Sequence, residues 1–309
     1  MTAFENLQYW LIKGFLGFLS IFPRKLMGML GTPLGLFWLL VDKRHRDIAG
    51  DNLAKAYGRD IHDPEIRKMR RANFIQLARS ALEIPSLFRM SARNVDSYVT
   101  IENERHLTDA IAKGKGVLAL TAHLGNWEMM SLATPLKLGI DVYELVRPLD
   151  HAPMDRVISE LRTRVGNKLI DKDKSAGIVT DLLAKNNIIA ILLDQNASWY
   201  EGVYVRFFDR VACANKGMAM LALLCDVPVV PLFNFRGKDG RYRVIFEKAL
   251  TLHKTGDFEQ DVIENTRLFT QVIEKYVRMA PDNWLWVHRR WRIKDIPEEA
   301  RHKIRGSLE

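Results

Sequence analysis

The residues best equipped for chemistry in this chain lie in Thr121-Ala122-His123-Leu124-Gly125-Asn126-Trp127-Glu128. An imidazole and a carboxylate this close in sequence can serve as a general base and its orienting partner, provided the chain turns back between them. The carboxylate of Glu128 would fix the tautomer of His123, leaving the second ring nitrogen to remove a proton from an incoming hydroxyl. Such proton removal contributes roughly 10²- to 10⁴-fold to a rate. The pattern contains no protein nucleophile, and the sequence has neither a Gly-x-Ser-x-Gly elbow nor the zinc-binding His-Glu-x-x-His. A helix opening here would present backbone N–H groups from Gly125 onward, including Asn126, to a developing oxyanion, which makes both residues candidates for substrate binding.

A histidine and a glutamate at this spacing carry little weight alone, so the elements around them matter. Val117 to Thr121 reads as a short buried strand and Trp127 to Leu138 as a helix, which puts His123 in the turn between them. In open α/β sheets that is where ligands bind. The alternation continues with a strand from Val142 to Val146, a helix from Met154 to Val165, a helix from Lys174 to Lys185 and a strand from Ile188 to Leu193. It then runs through a helix from Lys216 to Cys225, strands over Val229 to Phe235 and Tyr242 to Phe246, a long helix from Phe258 to Met279 and a last strand from Trp284 to Val287. Continuous apolar strands between amphipathic helices predict an α/β fold with a mixed central sheet covered on both faces.

Before this alternation, residues 46 to 88 read as helical, with Asp63-Pro64-Glu65 marking a helix start. The first 45 residues differ in kind. Leu7 to Phe22 and Leu26 to Val41 are two apolar stretches containing one charged residue, Lys13, and Pro23-Arg24-Lys25 divides them. As helices each is roughly 24 Å long, short of the roughly 30 Å hydrocarbon core of a bilayer. An interfacial hairpin or one tilted span are the membrane readings, and two buried core helices are the soluble one. The basic cluster Lys43-Arg44-His45-Arg46 follows directly, on the side where cytoplasmic anionic lipids favour it. The domain reading is therefore a membrane-anchoring helical segment over residues 1–45 and a catalytic domain over 46–309.

The net charge of +9 gathers in runs such as Arg67 to Arg71 and Arg289 to Arg292, which suits an anionic partner. Nucleic acid is disfavoured, since no recognised binding motif occurs and an apolar N-terminal pair has no use there. If both cysteines, Cys213 and Cys225, lay on one helix they would be roughly 18 Å apart, too far to bridge. No Cys/His spacing suggests a structural zinc site, and no cofactor is required by the chemistry.

His-Leu-Gly-Asn-Trp-Glu at 123 to 128 resembles the catalytic motif of the bacterial lipid A biosynthesis acyltransferases, the late enzymes that add secondary acyl chains to the lipopolysaccharide anchor. The likeness spans nearly the whole chain. It takes in Asp42-Lys-Arg-His-Arg-Asp-Ile-Ala, Val146-Arg147-Pro148-Leu149, Gly202-Val-Tyr-Val-Arg-Phe-Phe after Asp194-Gln195, Lys216-Gly-Met-Ala, and Pro281-Asp-Asn-Trp-Leu-Trp-Val-His-Arg-Arg-Trp. The resemblance implies a glycerolipid-acyltransferase-like fold and transfer of a fatty acyl chain from acyl carrier protein to a lipid A hydroxyl at the cytoplasmic face of the inner membrane. It makes His123 the base and Glu128 its partner. Arg162, with Arg164 beside it, matches a required arginine, and Asp194 matches a required aspartate. Arg147 is a candidate phosphate ligand. On its residue type alone, Asp194 at a strand end caps a turn or orients an arginine. The Phe-Pro-Glu-Gly-Thr-Arg block of glycerol-phosphate acyltransferases is missing, and those enzymes carry Asp where this chain has Glu128. The family pattern extends to other acceptors, so another glycolipid or an aminolipid is the alternative.

Overall fold

The computed structural model describes residues 2–173 and 175–292. Four helices come first: α1 (Ala3–Ser20), α2 (Arg24–Val41), α3 (Lys43–Ala56) and α4 (Pro64–Leu87). The order then runs β1 (Val99–Glu102), α5 (Arg105–Ile111), β2 (Val117–Thr121), α6 (Trp127–Leu138), β3 (Val142–Val146), α7 (Ala152–Thr163), β4 (Lys168–Asp171), α8 (Ala176–Ala184) and β5 (Ile188–Leu192). A hairpin of β6 (Gly202–Phe207) and β7 (Arg210–Asn215) leads to α9 (Gly217–Leu224), β8 (Val229–Arg236), β9 (Tyr242–Phe246) and α10 (Phe258–Met279).

Seven strands form one sheet in the order β1-β9-β8-β2-β5-β3-β4. β8, β2, β5, β3 and β4 run parallel, while β9 is antiparallel to β8, so the sheet is mixed as the sequence predicts. β2 is central and every one of its residues is buried. Its alternate side chains feed two cores: Leu118 and Leu120 pack with α9 and α10 on one face, and Val117 and Ala119 with α6 on the other.

Two expectations need correction, and one element is new. Trp284 to Val287 is not a strand; it makes a single bridge between Leu124 and Trp284 and then turns. Cys213 lies on β7, not on a helix, and Cys225 just after α9; both thiols are free. The antiparallel β6–β7 pair was unforeseen. The predicted helix start at Lys174 lies outside the described residues.

Among the described residues no single helix is long and apolar enough to cross a bilayer; α2 and α3 satisfy the length and hydropathy together but are bent by 94°. α2 lies against α4 through a row of glycines. A Cβ on Gly31 would come within 2.8 Å of the Arg79 Cα, and one on Gly35 within 2.6 Å of the Ile75 Cα. The other sides of α1 and α2 expose Trp10, Leu11, Phe15, Phe18, Met29, Phe37 and Leu40.

Candidate functional site

The strand-to-helix turn after β2 is built so that His123 is held from all sides. Gly125 takes a left-handed conformation (φ +67°) and lies so close to Asn234 that a Cβ would come within 2.5 Å of its carbonyl oxygen. Asn126 caps α6, its Oδ1 accepting the Met129 N–H at 3.0 Å while its amide donates to the Ser80 carbonyl. The Gly125 N–H donates to the Asn283 carbonyl at 2.9 Å. The residue expected to offer the first oxyanion donor is thus committed to the fold. The N–H groups of Trp127 and Glu128, next in the turn, have no acceptor among the described residues.

The imidazole meets Asp194, at the end of β5, and not Glu128. Nδ1 lies 2.8 Å from Asp194 Oδ1, and the His123 backbone N–H donates to Oδ2 at 3.0 Å. The Trp284 indole N–H donates to the same Oδ2 at 2.7 Å. The Asp194 side chain is 2% exposed, that of His123 20%. Burial works to raise the Asp194 pKa, but the His123 and Trp284 donors outweigh it and hold the carboxyl below its usual range. A carboxylate accepting at Nδ1 places the ring proton there and leaves Nε2 as the open, basic nitrogen. Gln195 Nε2 sits 3.5 Å from it.

Glu128 belongs to a second cluster one step away. Its two oxygens take a fork from Arg162, Nε at 2.8 Å and Nη2 at 2.6 Å. The Trp127 indole N–H also donates to Glu128 at 3.1 Å, and the Trp127 ring stands edge-on to His123 with centroids 5.1 Å apart. Glu128 therefore reaches the imidazole through Trp127. On the far side of Arg162 lies Glu144 on β3, 3.7 Å away, bonded to Ser131 and to Asn167. Burial pushes the Glu144 carboxyl up to about 7 despite the Ser131 and Arg162 donors. Burial also works against the Arg162 charge, but Glu128 and Glu144 outweigh it and keep the guanidinium firmly protonated. Glu144 escaped the sequence reading; an acid inside the apolar strand Val142 to Val146 was the available signal.

These polar groups stand at one end of a narrow cavity of about 60 Å³ between α6 and the sheet, whose other walls include Ala119, Met130, Ile188, Leu232 and Phe246. Residues 1–293 match the family described as bacterial lipid A biosynthesis acyltransferase. The chain belongs to that family. Similar proteins include the lipid A biosynthesis lauroyltransferase of Escherichia coli (strain K12), 25% identical over 299 residues with 95% of each chain covered. The palmitoleoyltransferase of the same strain is 25% identical over 308 residues, covering 96% of each. A phosphatidylinositol mannoside acyltransferase of Mycolicibacterium smegmatis is 22% identical over 262 residues, covering 82% of this chain and 81% of that one. Among solved structures, the 1-acyl-sn-glycerophosphate acyltransferase of Thermotoga maritima aligns with 85% of this chain and 99% of its own at a TM-score of 0.37 and 12% identity, too loose a likeness to carry an argument.

Two of the expected site residues of this acyltransferase lie elsewhere. Arg147 is exposed and pairs with Asp150 at 2.6 Å. Arg164 donates to the carbonyls of Leu87 and Met90, which ties the end of α7 to the end of α4. Among the described residues no group of three or more His, Cys, Asp or Glu side chains is placed to hold a metal.

Proposed function

We propose that this acyltransferase moves a fatty acyl chain from acyl carrier protein to a hydroxyl of a lipid A precursor, with His123 as the general base. The observation that carries the reading is the buried Asp194 holding Nδ1 of a partly exposed histidine whose ring stands edge-on to Trp127, a wall residue of the apolar cavity. Nε2 takes the hydroxyl proton, the alkoxide attacks the thioester carbonyl, and the thiolate leaves with the proton returned from the imidazolium. No covalent acyl-enzyme forms. The free N–H groups of Trp127 and Glu128 lie at the helix start, where a developing oxyanion is stabilised. The cavity wall offers apolar surface to the chain nearest the thioester.

Glu128 enters as a positioning residue. It holds Arg162 and, through Trp127, the edge of the imidazole. The catalytic pair is thus His123 with Asp194, and Glu128 supports it from the next residue along. The exposed apolar faces of α1 and α2 suit residues 1–45 to the cytoplasmic side of the inner membrane, with the domain over 46–309 standing on it.

Purified full-length protein incubated with acyl carrier protein thioesters and a tetraacylated lipid A precursor is expected to add the mass of one acyl group. His123→Ala should abolish that product while its circular dichroism stays that of the wild type. Undiminished turnover in His123→Ala overturns the mechanism. The phosphatidylinositol mannoside acyltransferase among the relatives supports a second reading, a different glycolipid or an aminolipid as acceptor. Lipid mass spectrometry of cells lacking the protein separates the two, since the underacylated lipid identifies the acceptor.

A further inference from the structure

One residue past Gln195, whose Nε2 lies 3.5 Å from His123 Nε2, the chain enters a cleft of about 580 Å³ that shares no lining residue with the apolar cavity. Asn196 stands at its inner end, its side-chain amide donating to the Arg292 carbonyl at 2.9 Å. Arg44, Arg289 and Arg292 line it, and no Asp or Glu is among its lining residues. None of these three guanidinium groups has an acidic partner among the described residues. Three guanidinium groups with no acidic partner among the described residues, around one concavity, attract an anion, although Arg289 and Arg292 also line a neighbouring pocket with Asp47 and Asp51; guanidinium groups match the oxygens of a phosphate in pairs.

Two further features say what kind of anion. Trp199 and Tyr200 stand edge-to-face at 5.7 Å on the cleft wall, 42% and 62% exposed. Exposed aromatic faces beside arginines suit a sugar ring carrying phosphate. The cleft also opens beside Arg44, just beyond the end of α2, whose Phe37, Leu40 and Val41 are exposed. A lipid whose chains lie along α2 would bring its headgroup here.

We propose that this cleft binds the phosphosugar headgroup of the acceptor lipid, with Arg44, Arg289 and Arg292 as phosphate ligands and Trp199 and Tyr200 against the sugar. The assignment rests on the acceptor class given under Proposed function. It places the acceptor headgroup next to Gln195 and hence near His123, in a cleft separate from the apolar cavity.

The test is equilibrium binding in detergent micelles, read by calorimetry without turnover. It compares the full chain with the Arg44→Gln/Arg289→Gln/Arg292→Gln variant. The probes are lipid A precursor, the same precursor after phosphatase treatment, and inorganic phosphate. The variant is expected to bind the phosphorylated precursor roughly thirtyfold more weakly, since each lost charged hydrogen bond weakens binding. Both proteins should bind the dephosphorylated lipid equally, and inorganic phosphate should compete only weakly. The proposal is overturned if the variant binds the phosphorylated lipid as the wild type does. It is overturned equally if inorganic phosphate alone accounts for the affinity, or if the variant instead raises KM for the acyl carrier protein thioester with acceptor binding intact. Because binding is read without chemistry, a failure to transfer acyl groups counts against the proposed reaction and not against the cleft.

Discussion

Asp194 does three things at once for His123: it accepts a hydrogen bond from the ring Nδ1–H, accepts another from the backbone N–H, and ties both to Trp284. An amide at that position can present its NH2 to the ring and favour the wrong tautomer. Asp194→Asn is therefore expected to lower kcat by about 10²- to 10⁴-fold with KM for either substrate little changed, measured by steady-state kinetics. Arg162→Ala leaves Glu128 and Glu144 buried without their shared cation, and should cost about 3 kcal/mol of stability in denaturant unfolding. Glu144 gives a pH dependence whose sign follows from its burial. Its pKa is raised to about 7 in the folded protein from 4.5 when exposed, so the folded state binds the extra proton between those values. Its contribution to stability is full below about 4.5, declines as pH rises, and is lost above about 7. Melting curves at pH 5 and 8 should show a smaller fall in Tm for Glu144→Gln than for the wild type. The sequence singled out His123, Asp194 and Arg162 but paired the histidine with Glu128, whereas the ring lies against Asp194. Five residues of separation made Glu128 the obvious partner, whereas Asp194 is brought in by the pairing of β2 with β5, which no local spacing reveals.

At the scale of elements, β2, β3, β9, α6 and α10 were readable to the residue, because each is either a short apolar or β-branched and aromatic run, broken at most by one charge, or a helix bounded by caps. The β6–β7 hairpin was missed because Phe208-Asp209 forms a tight turn with both residues at positive φ, without the glycine or asparagine that advertises one. The Trp284 segment failed in the opposite direction. Its apolar alternation resembles a strand, but its backbone is used to fasten the His123 turn, with the Leu285 N–H donating to the His123 carbonyl. The glycine row of α2 gives a further prediction. A methyl at Gly35 would meet the α4 backbone, which cannot yield as a side-chain tip does. Gly35→Ala should lower stability by about 1–3 kcal/mol in denaturant unfolding, whereas Gly14→Ala, which meets nothing within 4 Å, should not.

For the whole molecule, the exposed apolar side chains of α1 and α2 form a surface far larger than scattered single residues. Flotation with anionic phospholipid vesicles should carry the full chain upward, and Trp10→Glu/Phe15→Glu/Phe37→Glu should reduce the floated fraction severalfold. Equal flotation of the two proteins would remove the membrane role from this surface. Composition alone announced these helices as apolar. Which of their faces stayed bare depended on α4 and α7 covering the others, and that is tertiary information.

The threads that hold His123 come from distant parts of the chain. The loop around Asn283, Trp284 and Leu285 is synthesised about 160 residues after the histidine it fastens. A nascent polypeptide still lacking that loop would keep the Asp194 bonds to His123 but lose the Trp284 donor to Asp194 and the tie from the Leu285 N–H to the His123 carbonyl. The arrangement around His123 would then be complete only once both Asp194 and the Trp284 loop have been made, well after the histidine itself.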